Sequence, residues 1–164
     1  MGPLRDRPAP PLYTSEQRQR RDASRWTLVQ GVLAPLQFLV FLASLGLVLR
    51  TLSTGEGAML ANASIVAKTA LLYAIMVTGS IWEKAVFGRY LFAPAFYWED
   101  MVSMLVLALH TAYLAALVSG ALDTTGLLLL ALTAYAAYAI NAGQFLLKLR
   151  AARLEAPMLA EGAR

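Results

Sequence analysis

Residues 27–49 read TLVQGVLAPLQFLVFLASLGLVL, 23 positions without a charged side chain. A helix rises about 1.5 Å per residue, so roughly 20 residues cross a hydrocarbon core ~30 Å thick. Three further apolar runs of similar length follow, at residues 61–81, 101–122 and 125–147. Lipid offers backbone groups no hydrogen-bond partners, so runs of this kind are expected to be helical. The four runs predict an all-α membrane protein, a bundle of four transmembrane helices. Composition agrees. Hydrophobic residues make up 59% of the chain and charged residues 15%, against roughly 45–50% and 25% in a soluble domain.

Charge sets the expected orientation. Arg5, Arg7, Arg18, Arg20, Arg21 and Arg25 precede the first run. Lys84 and Arg89 lie between the second and third, and Lys148, Arg150, Arg153 and Arg164 follow the fourth. The remaining two connections hold only Arg50. Basic residues stay cytoplasmic, so both termini and the middle connection are expected on that side. The first run is too long for the apolar core of a cleavable signal. The pI of about 9.6 is the signature of helix flanks that touch anionic membrane lipid, and no nucleic-acid partner is expected. Absence of cysteine excludes thiol catalysis, disulfides and iron–sulfur ligation.

Three segments are expected. Residues 1–25 form a cytoplasmic N-terminal segment. Its first 12 residues hold four of the seven prolines and read as a disordered tail. Thr14 and Gln17 then fit a capping box that opens a short polar helix. Residues 26–150 form the transmembrane domain, and 151–164 a cytoplasmic tail. Between the second and third spans, residues 83–100 read EKAVFGRYLFAPAFYWED, six aromatic and five charged side chains in 18 positions. That mixture predicts an amphipathic segment lying in the membrane interface.

Polar side chains inside the spans are the candidates for function. Gln30 and Gln37 are seven apart and share a helix face, as do Glu99, Ser103 and His110 on the third span. Asn141 and Gln144 sit in the fourth. Asparagine and glutamine also serve as interhelical glue, and Lys68 is expected to snorkel outward. The single histidine excludes bis-histidine haem, and zinc would need three or four ligands. A magnesium tetrapyrrole needs one axial ligand, which His110 could supply. No carboxylate lies within a span, which counts against a proton-coupled transporter.

Several blocks resemble one family. They are YTSEQ at 13–17, WTLVQG at 26–31, APLQF at 34–38, TGSIWEK at 78–84, FAPAFYWED at 92–100, HTAY at 110–113 and NAGQF at 141–145. Together they look like the 3-vinyl bacteriochlorophyllide hydratase family of phototrophic bacteria. The resemblance implies a hydro-lyase, with no cofactor, that adds water across the C3-vinyl group of a chlorophyllide or bacteriochlorophyllide. It implies a multi-pass protein of the bacterial inner (intracytoplasmic) membrane, bound to lipid and in contact with other pigment-biosynthesis enzymes. The chemistry then needs an acid, a positioned water and a clamp for the ring. Glu83, Glu99 and Asp100 are the candidate catalytic carboxyls. His110 is the candidate ligand of the substrate's magnesium, or alternatively an acid–base group. Gln37, Asn141 and Gln144 would hold water. Arg89 and Lys84 would pair the free propionate, and Trp82 and Trp98 would border the macrocycle. A non-catalytic pigment carrier or assembly factor would use the same pocket without an acid.

Overall fold

The computed structural model describes residues 11–161, and side chains through 154. Residues 1–10, most of the expected proline-rich tail, lie outside the described residues. The helices are α1 (Ser15–Ala23), α2 (Arg25–Thr54), α3 (Ala58–Phe87), α4 (Tyr97–Ser119) and α5 (Thr124–Glu161). Four of them, α2 to α5, are long and apolar enough to cross a membrane.

Local chemistry sets the boundaries. Thr14 Oγ1 accepts the Gln17 N–H at 3.2 Å while Gln17 Oε1 accepts the Thr14 N–H at 2.9 Å, so the expected capping box opens α1. Ser24 ends α1 and caps α2. The tight α2–α3 turn needs left-handed backbone at Gly55 (φ 76°) and Gly57 (φ 83°), which glycine adopts without a Cβ penalty. α4 stops at Gly120 (φ 65°), two residues before the apolar run ends. α5 continues through position 150 to Glu161 without a break.

α2 pairs with α3 and α4 with α5 as two antiparallel hairpins. Contacts of α2 with α5 and of α3 with α4 close the bundle, and α1 lies against α3. The core is built from Phe41, Val48, Ile65, Leu72, Val106, Tyr113, Leu128 and Tyr135. Outward faces carry exposed leucines such as Leu28, Leu39, Leu105 and Leu146. That pattern suits a lipid solvent, in which apolar side chains face out and polar ones bind helices together. Ser44 Oγ lies 2.5 Å from Tyr135 Oη and 2.7 Å from Ser64 Oγ, joining α2, α3 and α5. Tyr113 donates to Asn62 at 2.7 Å, and Gln30 to Thr78 at 2.7 Å.

Two expectations change. Lys68 does not snorkel. It is fully buried, with Nζ 3.1 Å from His110 Nε2 and 3.9 Å above the Tyr138 ring. Phe41 and Tyr135 offer further ring faces to the same nitrogen. Electron-rich faces on two helices and the imidazole of a third give the amine interior partners, and tertiary packing alone brings them together. The link between the second and third spans is also shorter than its sequence suggests. α3 extends to Phe87 and α4 begins at Tyr97, so only nine residues, 88–96, form the connection, and it holds no helix. Ala93 and Phe96 are buried beneath the bundle, while Arg89, Tyr90 and Pro94 face outward.

Ser44→Ala removes two interhelical bonds and is expected to destabilise the bundle by about 1 kcal/mol. Leu42→Ala, on the outward face, should leave stability unchanged. Unfolding titrations in mixed micelles with SDS check both.

Candidate active site

One end of the bundle gathers α1, the end of α3, the 88–96 link, the start of α4 and the latter part of α5. Apart from Arg50, it carries the described basic residues that flank the helices. Three carboxyls meet there, and all are buried: Glu83 is 4% exposed, Glu99 and Asp100 each 6%. Their positions follow from helix ends. Glu83 sits in the penultimate turn of α3, and the other two in the first turn of α4, where the helix dipole favours negative charge.

The link supplies the donors. Ala93 donates its backbone N–H to Glu83 Oε1 at 2.5 Å, and Phe92 donates to Asp100 Oδ2 at 2.8 Å. Phe92 adopts φ 59°, a left-handed conformation uncommon for a bulky residue. At this strained corner two successive N–H groups are presented to two carboxyls from different helices. The Glu83 and Asp100 carboxyls are thereby held at one corner, each on the backbone of adjacent link residues. A carboxyl that keeps its proton can donate it, so two carboxyls gathered at one corner are the natural candidates for an acid.

Glu99 is placed differently. Its Oε2 forms an ion pair with Lys148 Nζ at 2.6 Å, and Lys148 also donates to the Ala95 carbonyl. The Glu99 carbonyl accepts from Asn141 Nδ2 at 2.9 Å and from Ser103 Oγ at 2.8 Å. Ser103 Oγ in turn lies 3.1 Å from Asn141 Oδ1. Glu99 thus ties α4 to α5, and Asn141 belongs to that tie.

An open groove of about 530 Å³ runs beside the carboxyls, lined by Arg89, Phe92, Pro94, Tyr97 and Met101. Asp100 precedes Met101 and binds the Phe92 N–H, while Glu83 binds the N–H of Ala93, between Phe92 and Pro94. The carboxyl pair therefore sits directly behind the groove wall. Trp98, 70% exposed, stands next to Tyr97 at the groove's edge with ring centroids 5.4 Å apart. Lys84 is engaged with the Gly88 carbonyl at 2.8 Å. Trp82 is turned inward: its Nε1 donates to Thr27 at 2.9 Å and its ring packs on Phe87 and Phe96. Tyr13 stacks on Phe87 in the same aromatic cluster.

The remaining candidates lie on other parts of the bundle. Gln37 is 2% exposed on α2, and Gln144 lies on α5. His110 is separated from Asp100 by ten residues of α4, about 15 Å. It is fully buried, its Nδ1 2.8 Å from the Val106 carbonyl and its Nε2 against Lys68. The imidazole faces the bundle interior and not the groove. Among the described residues, no three histidine, aspartate or glutamate side chains are grouped to hold a metal ion. The structure thus brings Glu83, Glu99, Asp100, Arg89 and Trp98 to one end and leaves His110 near mid-bundle. Lys68 is the buried group that hydropathy misread; its signal was a cation placed well inside a span.

Residues 13–151 match the protein family described as 2-vinyl bacteriochlorophyllide hydratase (BCHF). A protein of that name from Cereibacter sphaeroides is 70% identical over 145 residues, covering 88% of this chain and 89% of the relative. One from Rhodobacter capsulatus is 66% identical over 145 residues, covering 88% and 84%. The vinyl-bearing carbon is numbered 2 in these names and 3 in the family name that the sequence blocks suggest. No solved structure matches the chain. With almost the whole described body aligned to it, the chain belongs to the 2-vinyl bacteriochlorophyllide hydratase family.

Proposed function

We propose that this chain adds water to the vinyl group of a bacteriochlorophyllide, giving a 1-hydroxyethyl substituent in bacteriochlorophyll synthesis. The names of its relatives support the reaction. The observation that carries the site is the buried Glu83–Asp100 pair, held by the N–H groups of Ala93 and Phe92 beside the groove.

Hydration of an isolated alkene is slow because the carbocation is poorly stabilised. A vinyl group conjugated with a macrocycle is easier to protonate. The proton of the carboxyl pair goes to the terminal vinyl carbon. The neighbouring carbon becomes cationic and shares its charge with the ring. Water oxygen bonds to that carbon and its surplus proton returns to the carboxylate. No electrons change hands, and the pair ends as it began. A positioned general acid contributes about 10²–10⁴-fold to such a step.

The surroundings support these roles. Glu99 is already neutralised by Lys148, which leaves Glu83 and Asp100 as the proton donors. The groove falls within the roughly 300–1,000 Å³ range of ligand sites, and its open side lets a flat ring keep one edge in lipid. Arg89 lines the groove and suits the propionate of a pigment without its long alcohol tail. His110 becomes a magnesium ligand only if Lys68 leaves Nε2, whereas the groove accepts pigment with that contact intact. Gln37 on α2 and Asn141 and Gln144 on α5 are the candidates to hold water. The concentration of Arg18, Arg20, Arg21, Arg25, Lys84, Arg89, Lys148, Arg150 and Arg153 at one end supports a cytoplasmic placement for the site, in the bacterial inner membrane.

Glu83→Gln and Asp100→Asn should each lower kcat for vinyl hydration by about 100-fold or more, with pigment binding retained. Conversion of added vinyl pigment, followed by absorbance and chromatography, checks this. Full activity in both variants would remove the acid from the scheme, and pigment binding without turnover in the unaltered protein would favour a carrier. Arg89→Ala should raise KM about 5- to 10-fold while kcat changes little, since the contact is uniform binding at a partly exposed ion pair. Steady-state kinetics with the free acid and with a pigment methyl ester separate the two effects, the ester being insensitive to the substitution.

A further inference from the structure

Inside the bundle, two glutamines carry buried polar atoms that no protein group satisfies. Gln37 Nε2 on α2 and Gln144 Oε1 on α5 both lack a protein partner. Few such atoms occur in folded proteins, and in polar surroundings ordered water is their usual partner. One atom is a donor and the other an acceptor, a combination that water completes.

Helix register puts them at one level. Phe41 packs on Tyr138 with ring centroids 4.9 Å apart, and Ser44 bonds Tyr135, so α2 and α5 run antiparallel in contact. One turn nearer the basic end, Gln37 stands level with the turn of α5 that carries Asn141 and Gln144. Asn141 is bonded to Ser103 and to the Glu99 carbonyl, and Asp100 follows Glu99. On the other side, Phe41 and Tyr138 are both buried and form an aromatic floor. Gln37, Gln144, Asn141 and Ser103 thus stand between that floor and the Glu99 backbone, one residue before Asp100.

We propose that Gln37 and Gln144 hold water inside the bundle, and that this water supplies the hydration at the Glu83–Asp100 pair. The proposal rests on the hydratase reading above. Pigment in the groove presents its vinyl group to the carboxyls from outside, and water reaches the same carboxyls from within. The water oxygen bonds to the cationic carbon, and its proton goes to the carboxylate that gave one up. Both glutamines are positioning residues, acting through the water they hold. Separate entry of pigment and water leaves the pigment side of the groove free of competing solvent.

Gln37→Met keeps the length of the side chain and removes the amide. Purified variant in detergent should show kcat lowered about 10-fold or more, with pigment affinity, read by absorbance titration, unchanged within about twofold. Gln37→Asn keeps the amide and leaves room for one more water, so it should restore kcat to within about threefold of the unaltered protein. Unchanged kcat in Gln37→Met overturns the proposal. So does loss of pigment binding, which would place the amide on the pigment, and so does a Gln37→Asn variant as slow as Gln37→Met, which would make the role one of packing. If Gln37→Met fails to accumulate, Gln144→Met, at a partly exposed residue, takes its place: a similar fall in kcat at constant pigment affinity is expected, and unchanged kcat overturns the proposal. Normal turnover in Gln37→Met beside a dead Glu83→Gln removes the water supply and keeps the hydratase. No conversion of vinyl pigment by the unaltered protein removes the hydratase itself.

Discussion

Two carboxyl groups buried side by side in an apolar bundle must be answered by donors, and the 88–96 link exists in the shape it has because it provides them. Phe92 and Ala93 turn their N–H groups toward Asp100 and Glu83. To do so Phe92 takes a left-handed backbone angle that its side chain disfavours. The same corner seats Ala93 and Phe96 under the bundle and leaves Phe92 and Pro94 in the groove wall. Satisfying the carboxyls and forming the groove are therefore one structural act. Lys148 performs the matching service for Glu99, and the ion pair draws α5 against the start of α4.

Deeper in the bundle, polar groups are handled in pairs that cross between helices. Ser44 with Tyr135, Tyr113 with Asn62, and Lys68 with His110 each join separate elements. Where bulk solvent is absent, such bonds fix which faces meet, since apolar surface gains little by turning inward. Lys68 shows the limit of that economy. Its nitrogen rests on an imidazole and aromatic ring faces in place of a carboxylate.

Much of this was legible in the sequence. Run length and scarcity of charge mark the four spans, and the Thr14–Gln17 pair marks the start of α1. The spacing of Glu99, Ser103 and His110 places them on one buried face of α4, as found. What a sequence hides is pairing across helices. Hydropathy sends a lone lysine outward, and only the assembled bundle reveals ring faces that hold it inside. The aromatic stretch at 83–100 looks like one interfacial piece, yet half of it continues the two flanking helices, because nothing breaks α3 before Gly88 or delays α4 beyond Tyr97. The division of the three carboxyls into two held by backbone donors and one ion-paired depends on where Lys148 lands, in a helix far along the chain from Glu99.

The groove beside the link is open and not enclosed. Were its open side to face lipid, a reactant held in the membrane would never have to leave the bilayer, and neither would its product. Encounter is then governed by surface density: spreading the same amount of pigment over more membrane slows capture, while the volume of surrounding solution is irrelevant. A site of that kind would belong to two-dimensional kinetics, with lateral diffusion taking the place of aqueous transport.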